Sequence, residues 1–415
     1  MAIDLAHGRR LILAAAAAGL VVRLAFALLY WVDKPLTHDE REYLALAQSI
    51  AAGRGFAYDT SHETGTAQQF GRAPGYPLFL AVIGAGSVEP EASHRRVKIA
   101  QAIVGAFGVW VLGLIALRAG GPRAGVTAAA IGAVYPPLVW ICAYVLSETF
   151  YSAVALLTVL LLDFAIDRAG QARRSRAGLA LTVSAGVAAG VAILVRPMML
   201  FFLPLAVLWL VTRRRAMIAA VLATTALVVV TPWTVRNFQV HDRFVLVASE
   251  GGVTFWTGNH PLARGEGDLA ANPEIKRAEI AFRNAHPGLT AEQLEPLFYR
   301  DALRSIAAHP GWWLTLIARK AFYTLVPIGP SYTLHSTRYL VASVASYLLL
   351  LPFAVAGVRR WVHSRPRPEA LFLLAASAVI AGLVFFPQER FRIPVIDPTL
   401  IVCAGLACAD RLKPS

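Results

Sequence analysis

Two adjacent carboxylates, Asp39 and Glu40, follow the first long apolar stretch of the chain. Tyr43 lies four residues after Asp39, so a helix would present both side chains on one face. A carboxylate held just above a bilayer could act as a general base or as a metal ligand towards a lipid-linked substrate. A structural role stays open as well, because Thr37 and Glu40 have the spacing of a capping box.

Five arginines stand beside prolines or aromatic residues at the ends of apolar stretches: Arg72, Arg196, Arg236, Arg390 and Arg392. A guanidinium group can bind a phosphate with two parallel hydrogen bonds. Together the five would form a basic rim on one membrane face, which suits an anionic, phospholipid-like substrate. Taken singly, each arginine is also explained as an interfacial anchor or as a local ion pair, for example with Glu389.

Three further polar residues are candidates for contacts with a substrate. Glu148 is an isolated acid at the edge of an apolar stretch, where a carboxylate is a functional hypothesis by default. Trp256 and Asn259 lie in a glycine-rich segment that is typical of loops binding sugars or lipid headgroups, and equally typical of tight turns. The sequence contains no P-loop, dinucleotide-binding fingerprint, zinc-ligand spacing or nucleophile elbow.

The elements that position these residues are predicted to be membrane-spanning helices. The chain has 415 residues, of which 57% are hydrophobic and 15% charged, and its mean hydropathy is +0.57. Soluble domains are about 45–50% apolar and about 25% charged, so a soluble enzyme is excluded and one polytopic membrane domain over 1–415 is expected. A span needs about 20 mostly apolar residues. We predict ten spans: 11–31, 97–117, 123–141, 145–166, 177–195, 198–212, 216–235, 338–357, 369–386 and 393–409.

The net charge of +14 is explained by membrane topology and gives no reason to expect a nucleic-acid partner. Lys and Arg collect in the short loops between spans, and such loops are typically cytoplasmic. The opposite face then carries a first loop, 33–96, and a large loop region, 236–335. Over 236–310 eight basic residues are balanced by nine acidic ones. Both chain termini are therefore expected in the cytoplasm.

Two apolar segments are predicted to lie along the outer membrane surface without crossing it. The segment 74–86 is too short to span a bilayer, and 311–328 carries Arg319 and Lys320 at its centre, which is costly at bilayer depth. Arg23 lies inside the first span. We expect it either to face the bundle interior or a cavity, or to extend to the membrane surface.

The order of these motifs resembles that of bacterial members of the GT-C glycosyltransferase superfamily, in the family 39 or protein O-mannosyltransferase-like group that includes lipid A aminoarabinose transferases. The resemblance covers nearly the whole chain. The motifs are Asp39-Glu40 with Tyr43, Arg72-Ala73-Pro74-Gly75-Tyr76-Pro77-Leu78-Phe79-Leu80, Tyr135-Pro136 with Ser147-Glu148, Arg196-Pro197, Pro232-Trp233-Thr234-Val235-Arg236-Asn237, Trp256-Thr257-Gly258-Asn259 and Glu389-Arg390-Phe391-Arg392-Ile393-Pro394. It implies an all-α membrane protein, a GT-C-type bundle of about ten transmembrane helices with interfacial helices and periplasmic loops.

The resemblance further implies sugar transfer from a polyprenyl-phosphate donor to a lipid, glycan or protein acceptor, on the periplasmic face of a bacterial inner membrane. Asp39 would be the catalytic base or part of a metal-assisted acceptor site, with Glu40 as the second acid. A divalent metal, if used, would be held by Asp39 and Glu148. The residues implied in binding the donor phosphate are Arg72, Tyr76, Arg196, Arg236, Arg390 and Arg392, and those implied in binding substrate are Tyr43, Glu148, Trp256 and Asn259.

One departure from the family pattern affects the phosphate site. Many relatives carry Lys or His before a Pro-Pro pair, whereas this chain has Arg72-Ala73-Pro74-Gly75. Two other functions are compatible with the sequence. One is a transporter or flippase of lipid-linked sugars with Glu148 and Arg23 as a relay, and the other is a non-catalytic protein that binds lipid carriers. Transporters usually show internal repeats and polar residues at the membrane midplane, whereas here the polar residues collect at one surface, which favours the enzyme.

Overall fold

The structure is a computed structural model that describes residues 4–32, 34–58, 71–87, 90–171, 176–267, 271–328, 337–361 and 367–409. Parts of the two predicted outer loops, 33–96 and 236–335, lie outside the described residues. Every regular element within the described residues is helical. The α-helices are α1 Leu5–Ala25, α2 His38–Ala51, α3 Gly75–Val82, α4 Pro90–Val134, α5 Pro136–Trp140, α6 Glu148–Gln171, α7 Arg176–Val195, α8 Phe202–Thr212, α9 Ala216–His241, α10 Gly251–Asn259, α11 Pro273–Asn284, α12 Ala291–Ala308, α13 Pro310–Leu325, α14 Thr337–Trp361, α15 Glu369–Val384, α16 Glu389–Arg392 and α17 Ile396–Ala407.

The apolar helices confirm a multi-pass membrane protein. Among the described residues, six helices are long and apolar enough to cross a membrane, and three shorter apolar helices accompany them. The longest, α4, is interrupted at Gly121, so it supplies two of the predicted spans. With that division, each of the ten predicted spans contains an apolar helix.

The interruption at Gly121 makes α4 a helical hairpin. Gly121 has φ 80° and ψ −177°, a conformation that side-chain-bearing residues rarely adopt, and Pro122 starts the second arm with a preset φ. The arms pack closely at small residues. A Cβ added at Gly113 would lie 3.0 Å from the Cβ of Ala129 in the opposite arm. Small residues at such contacts allow helix backbones to approach in a membrane, where apolar burial alone does not drive association.

Arg23 of α1 packs against this hairpin and is only 1% exposed. Its guanidinium group donates to three backbone carbonyls, those of Gly19 at 3.0 Å, Gly132 at 3.0 Å and Ala133 at 3.1 Å. The last two belong to the end of α4, where helical carbonyls have no partner within the helix. Of the two expectations for Arg23, the structure confirms the position inside the bundle.

Helices α10–α13 form a subdomain with a hydrophobic core of its own, which we call the outer subdomain after the predicted outer loop region in which it lies. Trp256 packs against the rings of Phe282 and Phe298, at centroid distances of 5.8 and 5.4 Å. Lys320 of α13 is fully buried, and its Nζ donates to Oδ1 of Asn259 at 3.0 Å and to the carbonyl of Leu383 at 3.1 Å. Lys320 therefore fastens the subdomain to the carboxyl end of α15.

Candidate active site

The helix that carries the first acidic pair starts at a complete capping box. The Thr37 side chain accepts from the backbone of Glu40, and Oε2 of Glu40 accepts from the Thr37 backbone at 2.8 Å. The other oxygen, Oε1, accepts from the backbone N–H of Val145 at 2.8 Å. Glu40 is 4% exposed, so its carboxylate anchors the start of α2 to the loop before α6. This anchoring fixes the direction in which the neighbouring Asp39 points.

Asp39 lies between two arginines that come from distant parts of the sequence. Its Oδ1 accepts a hydrogen bond of 2.8 Å from Nη2 of Arg72, and its Oδ2 accepts one of 2.5 Å from Nη2 of Arg390. Burial alone would raise the pKa of this carboxyl. The guanidinium groups of Arg390 and Arg72 outweigh burial and hold the pKa of Asp39 below its ordinary value. Asp39 is therefore ionised at neutral pH, with an arginine on each oxygen.

Arg72 is surrounded by three carboxylates. Oε2 of Glu42 accepts from Nε of Arg72 at 2.8 Å and from Nη2 at 2.5 Å. Nη1 faces Oε2 of Glu250 at 3.3 Å, and Asp39 is the third acid. The guanidinium carbon also lies 5.4 Å from the centre of the Tyr43 ring, within the range of a cation–π contact.

The loop that carries Arg72 is fastened to the loop that carries Glu250. The backbone N–H of Gly71 donates to Oγ of Ser249 at 2.8 Å, and the backbone N–H of Ser249 donates to the carbonyl of Gly71 at 3.0 Å. The backbone N–H of Arg72 donates to the hydroxyl of Tyr58 at 2.7 Å. Two segments far apart in sequence thus hold Arg72 and Glu250 in a fixed relation.

Arg196 and Arg390 share a fourth acid of the site, Glu148. Nη1 of Arg196 lies 2.9 Å from Oε1 of Glu148, and Nε of Arg390 lies 3.7 Å from the same oxygen. The Phe391 ring is close to both cations, with centroid distances of 4.5 Å to Arg196 and 5.4 Å to Arg390. Glu148 is 2% exposed, so it is paired and buried at the first turn of α6.

We call this assembly the acid–arginine cluster; its members are Asp39, Glu42, Arg72, Glu148, Arg196, Glu250 and Arg390. It holds one more carboxylate than guanidinium. The side chains of Arg72, Asp39 and Arg390 are 19, 22 and 30% exposed, so a ligand from solvent can reach them. Partly exposed arginines can exchange a carboxylate partner for a phosphate, and a released carboxylate can accept a proton.

Tyr43 and Tyr76, which were predicted to contact the substrate or the donor phosphate, pack against each other next to Arg72. The rings of Tyr43 and Tyr76 meet edge to face with their centroids 4.9 Å apart. Tyr76 is fully buried, and its hydroxyl donates to Oε1 of Gln101 at 3.1 Å. Tyr43 thus touches the cluster through Arg72, whereas the hydroxyl of Tyr76 points into the bundle.

The structure places two of the five predicted arginines outside the cluster. Arg236 donates from Nη2 to the carbonyl of Phe56 at 3.0 Å and lies 4.8 Å from the centre of the Trp233 ring. Arg392 is 4% exposed and donates from Nε at 3.0 Å and from Nη2 at 2.5 Å to Oδ1 of Asp397. Arg236 therefore holds a neighbouring loop, and Arg392 is paired inside the bundle.

Trp256 and Asn259 also lie away from the cluster, in the outer subdomain. Nε1 of Trp256 donates to Oδ2 of Asp301 at 2.7 Å. The Asn259 amide donates to the carbonyl of Val384 at 2.9 Å and accepts from Nε1 of Trp313 at 3.0 Å. Both side chains are at most 2% exposed, so their polar groups serve contacts within the protein.

Sequence reasoning missed two members of the cluster, Glu42 and Glu250. Glu42 lies three residues after Asp39 on α2, and the i, i+3 spacing places both acids on one helix face. This signal was present in the sequence and is as strong as the one linking Asp39 to Tyr43. Glu250 precedes two glycines in a long polar segment, and its pairing with Arg72 follows only from the tertiary contact.

The residues suggested for a divalent metal, Asp39 and Glu148, do not fit that role in this arrangement. Arginine nitrogens occupy both oxygens of Asp39, and Arg196 pairs with Glu148. Across the part of the chain that the structure describes, no group of three or more His, Cys, Asp or Glu side chains is arranged to hold a metal ion. The chemistry proposed below is therefore derived from the cluster's own acids and arginines.

Comparison with solved structures identifies the fold. The archaeal oligosaccharyltransferase AglB from Archaeoglobus fulgidus, in complex with an inhibitory peptide and a dolichol-phosphate, matches with a TM-score of 0.56 and 14% identity over 95% of this chain and 50% of that one. The same oligosaccharyltransferase tethered to an acceptor peptide with the NVT sequon gives 0.59 and 13% over 95% and 49%. ArnT from Cupriavidus metallidurans bound to undecaprenyl phosphate gives 0.42 and 16% over 96% and 77%.

The two matches to the oligosaccharyltransferase confirm the predicted GT-C fold, and their identity is too low to establish more than the fold. This chain spans about half the length of the AglB structures that it matches. No protein-family model matches the sequence, and no curated protein is similar to it.

Proposed function

We propose that this protein is a glycosyltransferase that moves a sugar from a polyprenyl-phosphate donor to a hydroxyl of a cell-envelope acceptor. The observation that carries the proposal is the acid–arginine cluster, a partly exposed set of ion pairs in a protein with several membrane-spanning helices. We place the reaction on the periplasmic face of a bacterial inner membrane, with both termini in the cytoplasm, because the basic loops gather on the opposite side.

The donor phosphate would bind between the arginines of the cluster. Arg72 and Arg390 both contact Asp39, so a phosphate that takes over one nitrogen from each would lie next to this acid. Arg196, on the far side of Glu148, would add a third cation. Positive charge at this position stabilises the phosphate as it departs, and such electrostatic stabilisation is often the largest part of catalysis.

Asp39 would act as the base once the donor has bound. With two arginines on its oxygens, its pKa lies below the ordinary range, and such a carboxylate is a weak base at neutral pH. A phosphate bound to these arginines places negative charge beside Asp39 and offsets the positive charge that lowers the pKa of Asp39. Binding of the donor would thereby strengthen the base beside it. The lipid-linked donor would thus be the substrate and would also activate the base.

The transfer itself would be a single displacement. The acceptor oxygen forms a bond to the anomeric carbon of the sugar while the bond from that carbon to the phosphate oxygen breaks. The acceptor proton passes to Asp39, and the electron pair of the broken bond leaves with the polyprenyl phosphate. One displacement inverts the configuration at the anomeric carbon. The phosphate ester supplies the leaving group, so no nucleotide is needed.

The remaining predicted residues would position this machinery. Glu40 holds the start of α2 and so orients Asp39. The Tyr43 ring packs against the guanidinium group of Arg72, and the Tyr76 ring packs against the Tyr43 ring. Trp256 and Asn259 hold the outer subdomain together and against α15. Arg236 holds the loop of Phe56, and Arg392 fastens α16 to α17 through Asp397.

The alternative function is a transporter in which Arg23 and Glu148 act as a relay. The cavity that both residues line allows this alternative to be assessed. Both residues line one cavity of about 20 Å³ inside the bundle. That volume holds about one water molecule, which is far less than a sugar needs. The cavity thus favours the enzyme over passage of a sugar through this part of the bundle.

The proposal is tested by donor turnover in nanodiscs. Purified protein is incubated with a panel of radiolabelled polyprenyl-phosphate sugars and a cell-envelope extract as acceptor, and loss of donor is followed for wild type and Asp39→Asn. We expect turnover of at least one donor, reduced about 10²- to 10⁴-fold in the variant, because that is the usual contribution of a general base. Turnover that survives in Asp39→Asn would move the base to another residue. No turnover of any donor would contradict the proposed function.

A further inference from the structure

Every nitrogen of the Arg72 guanidinium group is engaged in the cluster. Nε and Nη2 contact Glu42, Nη2 also contacts Asp39, and Nη1 faces Glu250. A phosphate that binds Arg72 therefore competes with at least one of these carboxylates for a guanidinium nitrogen. The structure offers three candidates, and their contacts with Arg72 differ in strength.

Glu42 is the most firmly held of the three. One of its oxygens accepts two hydrogen bonds from Arg72, at 2.8 and 2.5 Å, and its side chain is 11% exposed. It belongs to α2, whose first turn is fixed by the capping box. Charge-assisted hydrogen bonds of this length are the strong ones, so Glu42 keeps the plane of the guanidinium group in one orientation.

Glu250 is the most loosely held. Its only ion pair among the described residues is the contact of 3.3 Å with Nη1, and within the same residues its carboxylate accepts no hydrogen bond. Its side chain is 32% exposed, which makes it the most accessible acid of the cluster. A long contact between partly exposed charged groups contributes little to stability. An incoming anion can replace such a contact at small cost.

The backbone on both sides of Glu250 is fixed, so only its side chain needs to move. Ser249 is paired with Gly71 through two hydrogen bonds. Gly252 approaches α12 so closely that an added Cβ would lie 2.4 Å from the carbonyl oxygen of Glu295. Rotation of the Glu250 side chain would uncover Nη1 of Arg72 and leave the loop in place.

We infer that Glu250 is a placeholder that occupies the phosphate position of Arg72 when no donor is bound, whereas Glu42 is a positioning residue that keeps Arg72 oriented for the phosphate. This inference rests on the proposed function. A placeholder carboxylate competes with the donor, and a positioning carboxylate assists it. Removal of the charge at these two glutamates, which contact the same arginine, therefore has opposite effects on binding.

The test measures binding of a polyprenyl phosphate without sugar. The full chain is placed in nanodiscs of a zwitterionic lipid, and the dissociation constant is determined for wild type, Glu250→Gln and Glu42→Gln. We expect about two- to five-fold tighter binding for Glu250→Gln, the range that corresponds to loss of a partly exposed ion pair. We expect about ten-fold weaker binding for Glu42→Gln, because the guanidinium group loses its orientation.

Glu274→Gln is the matched control, since Glu274 forms an exposed pair with Arg264 outside the cluster. It is expected to leave the dissociation constant unchanged. Thermal unfolding of each variant separates a loss of binding from a loss of fold, and Glu250→Gln remains informative if Glu42→Gln does not fold. If wild type binds the phosphate but Glu250→Gln binds it equally or more weakly, the placeholder role is overturned and the proposed function is untouched. If wild type does not bind polyprenyl phosphate, both are overturned.

Discussion

Arg390 and Arg392 are two residues apart in α16, yet they lie in different environments. Arg390 is 30% exposed and is shared between Asp39 and Glu148, which belong to separate parts of the chain. The side chain of Arg392 is 3% exposed, forms its one ion pair among the described residues with Asp397, and lies 4.3 Å from the Tyr347 ring centre. With 3.6 residues per helical turn, residues two apart point to nearly opposite sides.

The comparison separates a functional arginine from a structural one. A partly exposed arginine with two acidic partners can exchange one of them for a ligand without leaving a bare charge. An arginine with one buried partner cannot, because breaking the pair leaves an uncompensated charge in the bundle. Under the proposed function, catalysis would depend on the side of α16 that carries Arg390, and stability on the side that carries Arg392.

The largest effect is expected on the structural side. Arg392→Met removes one partner of the buried pair and is expected to lower the free energy of unfolding by about 3–5 kcal/mol. Thermal unfolding in nanodiscs measures the loss. The double variant Arg392→Met with Asp397→Leu should recover most of it, because neither charge then remains. If the double variant is as unstable as the single one, the loss of stability does not come from an uncompensated charge on Asp397.

The next effect falls on the functional side. Arg390→Gln is expected to reduce kcat/KM for the donor by about 10²- to 10³-fold, the usual cost of removing one electrostatic contact to a leaving group. Its unfolding temperature should stay close to that of wild type, since the side chain is partly exposed. Kinetic assays paired with thermal unfolding check both points. If Arg390→Gln loses stability while donor turnover persists, the assignment of Arg390 to catalysis and Arg392 to stability is wrong.

A smaller effect on activity is expected for substitution of Arg236, which is neither part of the cluster, as Arg390 is, nor buried in an ion pair, as Arg392 is. Its hydrogen bond to Phe56 and its contact with Trp233 hold a loop beside the cluster, and it has no direct contact with Asp39 among the described residues. Arg236→Gln should raise KM by about two- to five-fold with little change in kcat, as expected for loss of a partly exposed polar contact. A loss in kcat comparable to that of Arg390→Gln would place Arg236 on the phosphate.

The smallest effect concerns Glu295, next to the glycines that follow Glu250. Burial raises the pKa of Glu295 from 4.5 to about 7, and the nearby carboxylates of Glu292 and Glu250 add to the shift. A raised pKa means that the folded state holds the proton more tightly, so this stabilisation is complete below about pH 4.5 and is lost as the pH rises through about 7.

Glu295→Gln keeps a neutral acceptor for the Gly252 N–H and should remove this part of the pH dependence. Unfolding temperatures measured from pH 4.5 to 7.5 should therefore fall more steeply with pH in wild type than in the variant. Parallel curves for the two proteins would contradict the assignment.

The fold was largely predictable because hydropathy alone locates membrane spans. The sequence also predicted the two arms of the α4 hairpin as separate apolar stretches, because Arg118 and Arg123 lie between them. Within the site, Asp39, Arg72, Glu148, Arg196 and Arg390 were predicted to gather on one face, and the structure brings them together. All of them lie at or near the ends of apolar stretches, so hydropathy predicts that they lie near the membrane surface.

The rest of the site depends on contacts that sequence patterns do not encode. Arg390 and Arg392 are equivalent in sequence, and only the packing of α16 decides which one is buried. Glu250 lies in a long polar segment with nine acids, and nothing in its spacing selects it as the partner of Arg72. Trp256 and Asn259 have the residue types of a sugar-binding loop, but folding uses their polar groups for Asp301, Trp313 and neighbouring carbonyls.

The most direct test of the central claim is the pH dependence of donor turnover. The profile of kcat/KM reports ionisation of the free enzyme, and that of kcat reports the enzyme with substrate bound. Because a bound phosphate offsets the charge of the two arginines that hold the pKa of Asp39 down, we predict that kcat falls on the acid side at a higher pH than kcat/KM does. Coincident acid limbs in the two profiles would contradict the account, since they would mean that donor binding leaves Asp39 and its arginines as they are.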